Sequence, residues 1–148
     1  MTELLVVITI MGLLSAFTAK GVKAFSQQQQ GERTAKAILW EVSVARSFAL
    51  RSGGTVSLVA DETNKILTVR DSDGKTWRTM RFGPTEELYA KAININTAGD
   101  SLAFSSQGIC LNCNGGGATT ITVDAGSRRG IVSTSILGRT ELVSLLPN

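Results

Sequence analysis

The chain has 148 residues, 43% of them hydrophobic, and its 15 basic and 12 acidic side chains leave a formal charge of +3. That length is one domain's worth, and the mild positive balance is compatible with a nucleic acid or an anionic membrane while demanding neither. No histidine is present, which removes the commonest general base and metal ligand and lowers the expectation of hydrolase or oxidoreductase chemistry.

The chain opens with ELLVVITIMGLLSAFTA, residues 3–19, an almost wholly apolar run with one carboxylate, Glu3, at its front edge. The run reads as a helix, with Leu4, Ile8, Gly12 and Leu13 as candidate helix-packing positions. Its uncharged length of about 16 residues falls short of the roughly 20 that span a bilayer. A secretory signal peptide would want a positive n-region and a small-residue cleavage site. Neither lies before Glu3, and Lys20 and Lys23 come after the run instead. By the positive-inside rule those lysines favour a cytoplasmic location for the remainder of the chain.

Apolar positions then recur at Ala35, Ile38, Val42, Ala45 and Ala49, while Glu32, Arg33, Lys36, Glu41 and Arg46 mark the opposite, polar face. Nothing between 22 and 30 forces a break, and proline is absent until Pro84. One helix over about 2–51, roughly 75 Å long, is therefore expected, with Gly21 its softest point. Its first part is apolar all round and its last part amphipathic, so it has two environments: lipid or other helices, then its own domain. The division expected is a hydrophobic segment over 1–30 and a globular head over 31–148 that includes the second half of the helix.

Ser52, Gly53 and Gly54 end the helix. Strands are expected at 55–60 and 65–71, paired as a hairpin through the DETN turn, and at 76–82 after the SDGK turn. Later strands are expected at 91–97, 101–105, 119–124 and 131–137, with Gly99-Asp100, 114–117 and 127–130 as turns. The run 142–146 closes the chain against sheet or helix. The fold class is α+β: a long N-terminal helix packed by its C-terminal half on a small antiparallel β-sheet head, drawn as a meander.

Cys110 and Cys113 lie in ICLNCNGG. Zinc needs two more ligands, and with no histidine and no third cysteine no metal is expected. A redox pair should open a helix after a strand, whereas this one sits in strand-rich sequence. A structural disulfide closing a tight loop is favoured over a redox pair or two free thiols, and it would place the head in an oxidising compartment. No cofactor is expected. With no paired nucleophile and base, no catalytic residue is identified and the chain is not expected to be an enzyme.

Glu3 has two readings. It marks a helix edge at an interface, or it is buried among other helices and needs a cationic partner, because an unpaired buried carboxylate costs several kcal/mol. Its own helix offers no cation before Lys20. The partner would be a free N-terminal amine, its own or that of another copy or relative, which makes Glu3 an assembly residue.

The segment ELLVVI with Ile10, Gly12, Leu13 and Leu14 after it resembles the N-terminal methylation segment of type IV pilin-like proteins. That segment usually begins with phenylalanine and threonine and places a glutamate fifth. Glu3 would take the glutamate's role in processing by the prepilin peptidase and in neutralising a neighbour's N-terminal amine. The stretch SVARSFALRSGGTVSL (43–58), the phrase FSSQG (104–108) and Gly138-Arg139 are similar to the minor pseudopilin family typified by GspH and FimT. The resemblance implies a structural subunit of a type II secretion pseudopilus or type IV pilus tip. Its partners would be other minor and major pilins or pseudopilins and the prepilin peptidase, with an exoprotein substrate a further candidate. It also implies an inner-membrane single pass with a periplasmic head, overriding the signal from Lys20 and Lys23.

Three departures bear on that resemblance. A leader ending in glycine and further residues are expected upstream, since only Met1-Thr2 precede the glutamate. The proline that kinks many major pilins is missing. In FimT-like pilins for DNA uptake, a Gly-Arg-any-Arg motif is linked to DNA binding, but Gly138-Arg139-Thr140-Glu141 puts a carboxylate where the second arginine would be, which repels phosphate. The alternative function, a DNA-binding minor pilin for natural transformation, would then rest on Arg128, Arg129 and Arg139 converging on one exposed face.

Overall fold

In the computed structural model of the chain, residues 2–86, 88–113, 118–126 and 128–147 are described, without the side chains at 2–5, 9 and 12–28. Helix α1 runs over Thr2–Ser52 without a break and is followed by eight strands. They are β1 (Val56–Asp61), β2 (Ile66–Asp71), β3 (Thr76–Arg81), β4 (Ala92–Ile95), β5 (Ser101–Phe104), β6 (Thr119–Ala125), β7 (Arg128–Thr134) and β8 (Thr140–Pro147). The α+β class and the long helix packed on antiparallel strands are as expected from the sequence.

The periodic stripe Ala35, Ile38, Val42, Ala45 and Ala49 is fully buried. Three of its five residues are alanines, which lets the strands approach the helix closely. From Ile38 to Ala49 it packs in one cluster with Leu58, Leu102, Phe104, Ile121, Val123 and Val132. At the helix end Gly53, at φ +67°, donates its N–H to the Ala49 carbonyl, the left-handed C-terminal cap expected of a glycine there.

The first hairpin forms where its turn chemistry places it. Asp61 Oδ1 accepts from the N–H groups of Thr63 and Asn64, both at 2.9 Å, and β1 pairs β2 from Val56↔Asp71 to Asp61↔Ile66. Between β2 and β3 the register runs Val69↔Arg78 and then Arg70↔Thr76, so Trp77 is the extra residue of a β-bulge, a device that re-aims a side chain.

The strands do not form a single meander. They divide into two four-stranded sheets, β3-β2-β1-β5 and β4-β6-β7-β8. After β3 the chain turns back on itself: Gly83 N–H bonds Leu88 C=O, Leu88 N–H bonds Arg81 C=O, and Leu88 and Ala90 are buried. This return delivers β4 to the second sheet, and β5 then comes back to pair β1. Helix α1 touches β1 and β5 of the first sheet and β6, β7 and β8 of the second, so one helical face is covered from two sides.

A second difference lies at 127–130, expected as a turn. Ser127 is outside the described residues, but Arg128, Arg129 and Gly130 belong to β7 and pair Pro147, Leu146 and Leu145. Gly130 marks a close approach rather than a turn: a Cβ there would stand 2.9 Å from the Ala35 Cβ. Gly31 on the helix is its counterpart, since a Cβ there would lie 2.9 Å from the Arg128 Cβ. The turn between β6 and β7 comes earlier, with Gly126 at φ +62° beside the Ala125↔Arg128 pair. A separate turn at 135–139 joins β7 to β8, and the closing apolar run is β8, the outer strand of the second sheet.

Gly130→Ala is expected to lose about 1–3 kcal/mol in urea unfolding, the usual cost of overpacking. Adding Ala35→Gly should return part of that loss. If the two changes are simply additive, the helix and β7 are not in the contact described.

Candidate functional site

Two regions stand out, the front of the helix and a junction at the far end of the head. At the front, Val6, Val7, Ile8, Ile10 and Met11 are each 52–66% exposed. At 100° per residue these five apolar positions spread over about 200° of the circumference, roughly twice the width of the stripe by which a surface helix packs on its own core. Ile8 is thus exposed, whereas the side chains of Glu3, Leu4, Gly12 and Leu13 lie outside the described residues. Among the described residues no helix is long and apolar enough to cross a membrane.

At the other end Arg46 is half-buried rather than on an exposed polar face. Its Nε donates to Gly108 O at 3.0 Å, its Nη1 to Gly138 O at 3.2 Å and its Nη2 to Leu137 O at 3.0 Å. The first carbonyl belongs to the turn after β5 and the other two to the β7–β8 turn, so one guanidinium joins the helix to both sheets. Gly108 and Gly138 sit at φ +72° and +74°. A Cβ on Gly108 would meet Arg46 Nε at 2.9 Å, and one on Gly138 would collide with Gly108 O. The stretch around Arg46, the phrase FSSQG and the pair Gly138-Arg139 meet here.

The disulfide joins Cys110 to Cys113, whose Cα atoms are 5.6 Å apart. Its loop sits against β5. Asn112 Oδ1 accepts from Ala103 N–H at 2.7 Å and its Nδ2 donates to Ser101 O at 2.7 Å, so a side-chain amide imitates the strand that β5 lacks on that side. Cys110 N–H bonds Ile136 O in the β7–β8 turn, a further tie between the two sheets.

The three candidate arginines are not gathered together. Arg128 and Arg129 open β7, while Arg139 lies in the turn at the opposite end of the same hairpin, about 20 Å away at 3.3 Å per residue. Arg129 is paired with Asp124, its Nε 2.7 Å from Oδ1, and that carboxylate raises the guanidinium's pKa further. The Arg128 side chain packs over Gly31. Arg139 is exposed at the rim of a hollow of about 350 Å³ that Ser43, Arg46 and Thr140 also line.

Glu41, expected on the polar face of the helix, is 1% exposed. Its Oε1 lies 3.0 Å from Arg78 Nε, but the N–H does not point at the oxygen, so the contact is coulombic rather than a hydrogen bond. The periodicity gave no sign of this pairing, because Arg78 arrives from another element. Among the described residues no cluster of three or more cysteines and carboxylates could hold a metal.

Arg46→Ala is expected to cost about 1–3 kcal/mol, the range for charge-assisted hydrogen bonds. Arg46→Lys should cost nearly as much, since a point charge cannot fork onto three carbonyls. Gly138→Ala should be at least as harmful, at about 2 kcal/mol or more from strain and collision. Thermal unfolding of the three variants checks the order; a harmless Arg46→Lys would show that the fork is not needed.

No protein-family model and no curated protein matches the sequence. Solved structures do. The type IV minor pilin FimU of Pseudomonas aeruginosa, in one crystal form, superposes with a TM-score of 0.60 at 18% identity over 81% of this chain and 92% of that one. In a second crystal form the TM-score is 0.57 at 18% identity, over 76% and 92%. The minor pseudopilin EpsH from the Type 2 Secretion System of Vibrio cholerae gives 0.51 at 14% identity over 78% and 97%. At these identities the likeness is one of architecture, and the architecture is distinctive: this chain has the pilin-like fold of the minor pilins and minor pseudopilins.

Proposed function

We propose that the protein is a minor pilin or minor pseudopilin, a non-catalytic structural subunit of a type IV pilus tip or a type II secretion pseudopilus. The observation that carries this reading is the continuation of the head's own packed helix into a stretch whose described side chains, at 6–8, 10 and 11, are all apolar and exposed. Such a surface needs a cover of lipid or of other helices. The fold shared with FimU and EpsH supports the same reading.

In this proposal residues 1–30 form the membrane and filament-core segment and 31–148 the head. The helix is held in the inner membrane until extraction and in the filament core afterwards, with Leu4, Ile8, Gly12 and Leu13 as packing positions. Glu3 neutralises the N-terminal amine of a neighbouring pilin or pseudopilin after processing by the prepilin peptidase. The disulfide favours a periplasmic head. Exposed loops of the head contact other minor subunits or an exoprotein.

DNA uptake has weaker support. Arg129 already has Asp124 as its partner, and Arg139 lies at the other end of the hairpin from Arg128. Loss of salt-sensitive retention on duplex DNA in an Arg139→Ala variant would favour that second reading.

The test is incorporation. Expressed from its full gene in cells that assemble filaments, the protein is expected in the sheared filament fraction, and Glu3→Ala should leave it in the membrane fraction. Absence of the wild type from filaments, or equal incorporation of Glu3→Ala, would count against the proposed role or against its acidic residue respectively.

A further inference from the structure

Both tryptophans of the chain lie on one side of the head, in the groove between α1 and the edge strand β3, and both are exposed: Trp40 by 52% and Trp77 by 39%. Around 40–51 the helix carries a second apolar stripe, Trp40, Val44 and Phe48, roughly opposite the buried one. With Ser47, Arg51 and Arg78 these side chains line a hollow of about 400 Å³. The bulge turns Trp77 onto Phe48, with ring centroids 5.0 Å apart and planes stacked at 25°. Lys75 Nζ stands 4.6 Å from the centre of the Trp77 ring, and Arg78 Cζ stands 4.8 Å from that of Trp40.

The rings are therefore held in place before any partner arrives. Arg78 is itself anchored on the buried Glu41. Rigid, exposed tryptophan beside arginine is the composition of binding hot spots, and prior ordering removes part of the cost of association.

Charge and the sheet edge together define what would fit. Among the described residues, Arg51 and Lys75 have no carboxylate in ion-pair contact, so the groove has two uncompensated cations beside it. Strand β3 has no strand on its outer side among the described residues. Its far end is closed by the Leu88 N–H on the Arg81 carbonyl, which leaves 76–79 open for a chain running alongside.

We infer that this groove docks an extended acidic segment of a partner subunit. The segment lies along the outer edge of β3, seats an apolar or aromatic side chain between Trp40 and Phe48, and places carboxylates against Arg51 and Lys75. This is strand addition with a side-chain pocket, and it deepens the proposed function by assigning the head a recognition surface separate from the helix front.

Trp40 lines the hollow and Trp77 stacks on its Phe48, so intrinsic fluorescence reports its occupancy. The probe is a short blocked peptide of alternating glutamate and valine with a central phenylalanine, added to the full chain in nonionic detergent. Its counterpart carries lysine in place of glutamate. The acidic peptide is expected to shift the emission saturably and to bind more weakly as salt rises. Trp40→Ala, read by peptide anisotropy, and Arg51→Glu should each weaken it about tenfold or more. Both positions are exposed, and an unchanged circular dichroism spectrum confirms that the variants fold. The inference is overturned if the acidic peptide does not bind, if either variant binds as the wild type does, or if the lysine peptide binds equally well. Self-association abolished by Trp40→Ala would overturn it too, by giving the groove to a second copy. Incorporation of wild-type protein into filaments is scored separately, so a failed peptide result leaves the subunit role standing.

Discussion

A single guanidinium holds this head together at the point where its three layers meet. Arg46 leaves the helix and reaches carbonyls of two turns that belong to different sheets. Those turns come close enough only because Gly108 and Gly138 both take positive φ and carry no side chain. The requirement is mutual: without the arginine the carbonyls lose their donor, and with a Cβ on either glycine the arginine loses its seat. Because the two sheets do not hydrogen-bond to each other along their strands, such ties fix their relative position where packing alone would permit sliding.

The cysteine loop extends the same logic. A loop closed over three residues constrains little of the unfolded chain, since the entropic effect of a crosslink grows with loop length. Its local effect is more informative. It presents the Asn112 amide to β5 and the Cys110 N–H to the β7–β8 turn, capping one open edge of the first sheet while bonding to the second. By contrast, among the described residues the outer edge of β3 has no such cap over 76–79. A protein that blocks one edge of this sheet and surrounds the other with ordered tryptophans treats the two differently.

Much of this was legible in the sequence wherever the information is local. The buried stripe of the helix, its glycine terminus and the first hairpin arise from periodicity and turn chemistry acting over a few residues. What stayed hidden is nonlocal. Alternation shows that 91–97 has two faces, but not that its partner is β6 in a separate sheet. Gly130 looks like a turn residue until the helix is seen lying on it. Glu41 and Arg46 carry charges, so periodicity assigns them to water, although each is met by a group distant in sequence: Arg78 for the one, the carbonyls of 108, 137 and 138 for the other. The phrases around Arg46, Gly108 and Gly138 were visible as a resemblance, while their shared reason, a single three-way junction, needed the structure.

In the proposed subunit role the helix front and the head divide the work of assembly by their chemistry. Each exposed Val or Ile side chain at the front gains about 1.5–3 kcal/mol on leaving water, so the segment must be covered. Lipid tails and the apolar helices of neighbours cover it almost equally well, however, and exchange between them supplies little net drive. A surface indifferent to its cover can pass from one environment to the other, yet for the same reason it discriminates poorly among apolar partners. Discrimination among closely similar neighbours must then come from surfaces whose chemistry is not generic. On this chain those lie on the head, and a helix continuous from Thr2 to Ser52, locked to both sheets by Arg46, holds them at a fixed distance from the segment that is buried.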